Sequence, residues 1–96
     1  MKNGMRAIHP GEILREEYLV PLGMSANALA DVISVPANRV SGIVAGRRTI
    51  TADTALRLAR AFGTTPEFWM NLQQAYDLRV TEPSTRSALR SIRRVA

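Results

Sequence analysis

Cysteine is absent from this sequence, which excludes disulfides and any thiolate zinc site. Histidine is nearly absent: His9 stands alone, reads as a residue at the start of the first helix, and has no second histidine or cysteine with which to complete a metal site. No apolar run approaches the length of a bilayer span, and the N-terminus lacks the charged, apolar, small-residue layout of a signal peptide. The expectation is a cytoplasmic, nucleoid-associated protein with no membrane partner. Strict apolar-polar alternation never lasts long enough to favour strands. Catalytic constellations are missing too. No nucleophile has a histidine base, no glycine-rich phosphate loop occurs, and Glu16 and Glu17 are adjacent but face different directions on a helix. An enzyme is not expected, nor is a cofactor.

Lysine is scarce as well. Lys2 is the only one, so the net charge of +5 is carried almost entirely by arginine. The planar guanidinium pairs bidentately with phosphate and with guanine edges, which points towards a polyanion. Residues 1–33 are close to neutral, whereas residues 34–63 hold Arg39, Arg47, Arg48, Arg57 and Arg60 against one acid, Asp53. A solvated basic surface is the bland alternative, but clustering beside one short segment is the pattern of a nucleic-acid footprint. A chain of 96 residues suits one domain of modest stability, to which a dimer would add.

The periodicity predicts an all-α fold of five helices. His9-Pro10-Gly11-Glu12 opens the first, with proline and acids suited to its positive end; Ile13, Leu14 and Tyr18 line it, and Pro21 and Gly23 close it. Ser25 caps a second, short helix carrying Ala28, Leu29, Val32 and Ile33, which stops near Ser34 because Pro36 disfavours helical backbone at Val35. A third runs from Pro36 to Ala45 with Val40, Ile43 and Val44 inward and Gly46 as its stop. Thr51 caps the fourth, lined by Ala55, Leu58, Ala59 and Phe62 and ended by Gly63. Thr65-Pro66-Glu67 starts the fifth, bearing Phe68, Trp69, Leu72 and Tyr76, which Pro83 ends or interrupts. The organisation expected is an arm at 1–8, a domain at 9–82 and a basic tail at 83–96, the tail being either a short sixth helix or a coil.

Helices two and three, joined by a very short turn, carry the functional signal. Such a pair must cross steeply, which lets the second helix put its N-terminal residues into a major groove while the first braces on the backbone. On spacing alone an ordinary helical hairpin fits equally well. The outward face of helix three decides for DNA. Base-reading positions are Ala37, Asn38, Arg39, Ser41 and Gly42, where asparagine and arginine suit adenine and guanine edges. Phosphate positions are Ser25, Asn27, Arg47 and Arg48. Trp69, Tyr76 and Leu78 on helix five are candidates for a dimer or partner interface, with core packing an alternative for the aromatics.

The stretch Leu29 to Gly46, with Val40-Ser41 and Gly46-Arg47-Arg48, resembles the lambda-repressor-like helix-turn-helix domains of the Xre group. Ile50-Thr51-Ala52-Asp53-Thr54-Ala55-Leu56-Arg57-Leu58-Ala59, Thr65-Pro66-Glu67-Phe68-Trp69, Leu72-Gln73 and Tyr76-Asp77-Leu78 are similar to the HigA antitoxin family, also called the VapI group, and His9-Pro10-Gly11-Glu12 matches its opening. The likeness covers roughly residues 8–80. It implies a homodimer that binds a palindromic operator on double-stranded DNA in its own promoter and neutralises a HigB-type ribonuclease toxin. An orphan Xre-type regulator without a toxin, and a protein-interaction module without DNA binding, are the alternatives. Two residues depart from the pattern. Ser34 stands where such turns commonly have glycine, and Gly42 where a longer side chain often faces the groove.

Overall fold

Side chains that accept main-chain N–H groups set four helix starts. His9 Nδ1 accepts from Gly11 at 2.9 Å, Ser25 Oγ from Ala28 at 3.0 Å, Thr51 Oγ1 from Thr54 at 3.4 Å and Thr65 Oγ1 from Phe68 at 3.1 Å. Each satisfies a donor that the helix itself leaves orphaned. The computed structural model describes residues 6–96. These form five helices and no strand, as the periodicity predicts. Residues 10–22 make α1, Ala26–Ile33 α2, Ala37–Val44 α3, Ala52–Phe62 α4 and Pro66–Leu89 α5. Pro36 caps α3 from outside the helix. Of the expected arm, residues 1–5 lie outside the described residues, and Arg6 is tied to Glu12 through two hydrogen bonds of 2.9 and 3.1 Å.

Helix α1 is α-helical over Pro10–Ile13, widens to a π-helix over Leu14–Leu19, and narrows again over Val20–Leu22. Pro21 lies just past the widened stretch, in the short α-helical segment that follows, and supplies no N–H to the ladder. Gly23, at φ 60°, then ends the helix in the left-handed conformation.

The core is aliphatic with one large aromatic. Leu14, Leu29, Val40, Ile43, Ile50, Leu58 and Trp69 come from every helix and from the loop after α3, and none is more than 1 % exposed. Burial of each such side chain stabilises the fold by about 1.5–3 kcal/mol.

Pro83 neither ends nor interrupts α5, against the sequence expectation. The helix runs through it for 24 residues to Leu89, a length of about 36 Å. Proline removes the N–H that would meet the Arg79 carbonyl, but this stretch of α5 is exposed, so water can serve that oxygen. Ser84 Oγ donates to the neighbouring Thr81 carbonyl at 2.9 Å. Beyond Leu89 the tail forms no separate helix. Only Trp69 and Gln73 of α5 are buried; its far half projects, giving the molecule extents of 49 × 30 × 22 Å. No helix among the described residues is long and apolar enough to cross a membrane.

Candidate nucleic-acid interface

The turn between α2 and α3 is closed by a residue in an unfavourable conformation. Ser34 adopts φ 61° and ψ 50°, and among the described residues it is the one non-glycine residue with positive φ. Its N–H bonds the Asp31 carbonyl at 3.3 Å, and the Val35 N–H bonds the Ala30 carbonyl at 3.0 Å. This is the pairing of a glycine-type helix cap made with serine. Pro36 then fixes the extended approach to α3, as the sequence predicts.

A second tie holds the same turn from α4. Arg57 Nη1 donates to the Ile33 carbonyl at 2.8 Å and to the Ser34 carbonyl at 3.3 Å, placing a cation on the negative end of α2. Arg57 Nε also donates to Asp53 Oδ2 at 2.9 Å, and the same oxygen accepts from Arg39 Nη1 on α3 at 2.5 Å. Hydrogen bonds from Arg57 and then Arg39 hold the Asp53 carboxyl below its usual range. Two of the five arginines in the basic cluster are thus partly neutralised within the chain. Being solvent-exposed, the pairs add little to stability; their effect is on where the guanidinium groups sit.

The expected base-reading positions separate. Ala37 and Asn38 are exposed on the first turn of α3, Ser41 is half-buried, and the Arg39 side chain is 33 % exposed against Asp53. Gly42 is buried, so the expectation that it meets a base is corrected: the aliphatic stem of Arg48 lies over it, and a Cβ there would stand 2.7 Å from Arg48 Cδ. Of the phosphate positions, Ser25 and Asn27 are exposed at the start of α2, with the Ser25 oxygen accepting the cap bond and its O–H left to donate. Arg47 is exposed and makes no ion pair among the described residues.

The loop bearing Arg47 and Arg48 is held at both ends. Gly46, at φ 79°, turns the chain so that the N–H groups of Arg47 and Arg48 both reach the Gly42 carbonyl, at 2.8 and 3.1 Å. Further on, the Ile50 N–H donates to the buried Gln73 Oε1 at 2.8 Å, and Gln73 Nε2 donates to Asp77 at 2.9 Å. His9 packs beneath, its ring 4.8 Å from that of Tyr76 in an edge arrangement. Burial holds the His9 imidazole below its ordinary pKa of 6.5, opposed by the charge of Asp77 and by the Arg48 backbone.

The interface candidates also divide. Trp69 is 0 % exposed and its indole N–H donates to Thr64 Oγ1 at 2.8 Å; of its two readings it takes the core one and is unavailable to a partner. Tyr76 is half-buried against His9, and Leu78 is 72 % exposed. Sequence reasoning missed Asp53, Gln73 and Gly11 as supports of the site. The lone acid among five arginines was the available signal for Asp53; nothing local marks the other two.

A helix-turn-helix family profile matches residues 14–69. The virulence-associated protein I of Dichelobacter nodosus is 57 % identical over 86 residues, which is 90 % of this chain and 80 % of that protein. An addiction module antidote protein of a HigA family from Coxiella burnetii superposes with a TM-score of 0.88 at 52 % identity, over 96 % of this chain and 100 % of that one. Antitoxin HigA of Pseudomonas aeruginosa, solved with the higBA promoter, superposes at 0.90 and 42 % identity, over 95 % of this chain and 100 % of that one. With the profile spanning more than half of its residues, this chain belongs to the helix-turn-helix family, in its HigA-type Xre group.

Proposed function

We propose that this protein is a transcriptional repressor that binds its own promoter as a homodimer and serves as the antitoxin of a HigB-type ribonuclease toxin. The observation that carries the DNA reading is the exposed first turn of α3, where Ala37 and Asn38 face outward on a helix held by the burial of Val40 and Ile43 with Leu29 and by the capped Ser34 turn. An asparagine there can pair bidentately with adenine. Arg39 keeps donors that Asp53 does not use. Arg47, with Ser25 and Asn27 at the start of α2, lies along the phosphates and sets register and orientation without reading sequence. Two copies place their α3 helices in successive major grooves about 34 Å apart, which calls for a palindromic site. The promoter held by the Pseudomonas aeruginosa relative supports the same use.

Leu78, exposed on the projecting α5, is the apolar contact offered to a second copy, with Tyr76 at its margin. Fluorescence anisotropy with duplexes from the DNA upstream of the gene, against scrambled duplexes, tests the repressor. Co-expression with the product of the neighbouring open reading frame tests the antitoxin. A stable co-purifying complex that abolishes the neighbour's RNA cleavage is the expected result. Operator binding with no such complex leaves an orphan regulator, and no duplex binding at low salt leaves an interaction module.

A further inference from the structure

We infer that Arg48, and not residue 42 of the recognition helix, reads a base pair in the operator, and that Gly42 exists to let it do so; this rests on the DNA-binding reading above. Position 42 follows Asn38 by one helical turn and so shares its face, the side opposite the buried Val40 and Ile43. A residue on that face is expected to be exposed. Gly42 is instead buried, covered by a side chain that arrives from the loop. A Cβ built on Gly42 would stand 2.8 Å from Arg48 Cγ, 2.7 Å from Cδ and 3.3 Å from Nε. Three consecutive atoms of Arg48 therefore run past the place where a position-42 side chain would stand.

The backbone enforces this route. Gly46 takes φ 79°, and the N–H groups of Arg47 and Arg48 both bond the Gly42 carbonyl. The loop is thereby folded back onto the last turn of α3, and Arg48 starts beside the residue it covers. Both arginines are exposed as whole residues, but the atoms nearest the Cβ position of Gly42 all belong to Arg48. Two neighbouring arginines thus have different tasks: Arg47 is free to follow a phosphate strand, while the Arg48 stem is laid along the outward face of α3, one turn from Asn38. A guanidinium delivered there has the fork that meets guanine O6 and N7 together. No side chain at position 42 is needed, and any would obstruct it.

Lysine separates the two roles of a cation. Arg48→Lys retains a phosphate contact, which needs only a charge, but loses the bidentate fork. The test measures anisotropy on the full chain, using the upstream duplex, a set of its single-base-pair variants and a scrambled duplex. For Arg48→Lys we expect the salt slope to stay at the wild-type value while preference at one G·C pair per half-site falls by about tenfold. Gly42→Ala, which favours the helix, pushes the Arg48 stem aside and loses preference at the same pair. In an Arg48→Ala background Gly42→Ala changes nothing further. Wild-type discrimination by Arg48→Lys at every base pair overturns the assignment, as do Gly42→Ala and Arg48→Ala losses that simply add. A wild-type protein that holds its upstream duplex no better than the scrambled one sinks the DNA reading itself, and this assignment with it. Circular dichroism and melting of each variant establish that all are folded.

Discussion

Gly11 on α1 touches the main-chain carbonyl of Ile43 on α3 so closely that a Cβ at Gly11 would stand 1.8 Å from that oxygen and 2.6 Å from its carbon. No rotamer change relieves a clash with backbone, so α1 must move away from the recognition helix if any side chain is added. Gly11→Ala should destabilise by about 2–3 kcal/mol, a fall in melting temperature of about 10–20 °C for a domain of this size. Gly23→Ala is the contrast: nothing lies within 4 Å of its Cβ position, and the left-handed conformation alone costs about 1 kcal/mol. Thermal melts of both variants check the order; equal losses would show that the α1–α3 contact is not a constraint.

Ser34 holds a left-handed conformation at φ 61° that glycine adopts freely. Ser34→Gly should raise stability by about 0.5–1 kcal/mol, the relief of backbone strain less the extra freedom glycine has when unfolded. Urea midpoints measure it. An unchanged midpoint would mean that serine is accommodated there without cost.

The lowered pKa of His9 makes stability depend on pH. Burial is the main cause, so the unfolded chain takes up the proton near 6.5 while the folded chain takes it up only at lower pH. Between those values the unfolded state binds more protons, and stability rises with pH. It is complete above about 6.5 and declines as pH falls through the lowered value. A proton on Nδ1 also removes the acceptor for the Gly11 N–H. His9→Asn keeps a capping side chain but cannot titrate, and its melting temperature should be flat between pH 7 and 5 where wild type declines. A parallel decline in both proteins would assign the effect to another group.

Gln73 is 4 % exposed and is the acceptor for the Ile50 N–H. Gln73→Leu leaves that buried donor without a partner at a cost of about 1–3 kcal/mol and loosens the loop that presents Arg47 and Arg48. Hydrogen exchange at Ile50 should accelerate markedly. Protection equal to wild type would show that the loop is held by other contacts.

What was legible in the sequence is local. Ser25, Thr51 and Thr65 each cap a helix through a bond three residues ahead, so the chain itself brings the partners together. Gly23, Gly63 and the Ser34-Val35-Pro36 turn were readable for the same reason. The supports of the site are not local. Arg39 meets Asp53 across 14 residues, Gln73 meets Ile50 across 23 and Arg57 meets Ile33 across 24; each pairing exists only once the helices have packed. Residue type alone leaves Trp69 between interface and core, and what decides is its indole N–H finding Thr64 within the core. Gly42 shares the outward face of its helix, and helical periodicity cannot show that the side chain covering it comes from the loop beyond. Pro83 reads as a break because local rules count the lost hydrogen bond, yet this stretch of α5 is exposed and its freed carbonyl lies open to solvent.

The central claim, that the first turn of α3 reads bases while Arg47 serves the phosphates, is tested most directly by titrating Asn38→Ala and Arg47→Ala against the upstream and scrambled duplexes over a range of salt. Asn38→Ala should lose about 1–3 kcal/mol on the upstream duplex alone, with the salt slope unchanged. Arg47→Ala should weaken both duplexes alike and flatten the slope by about one unit. The reverse assignment, or an Asn38→Ala protein that discriminates as well as wild type, would contradict the account.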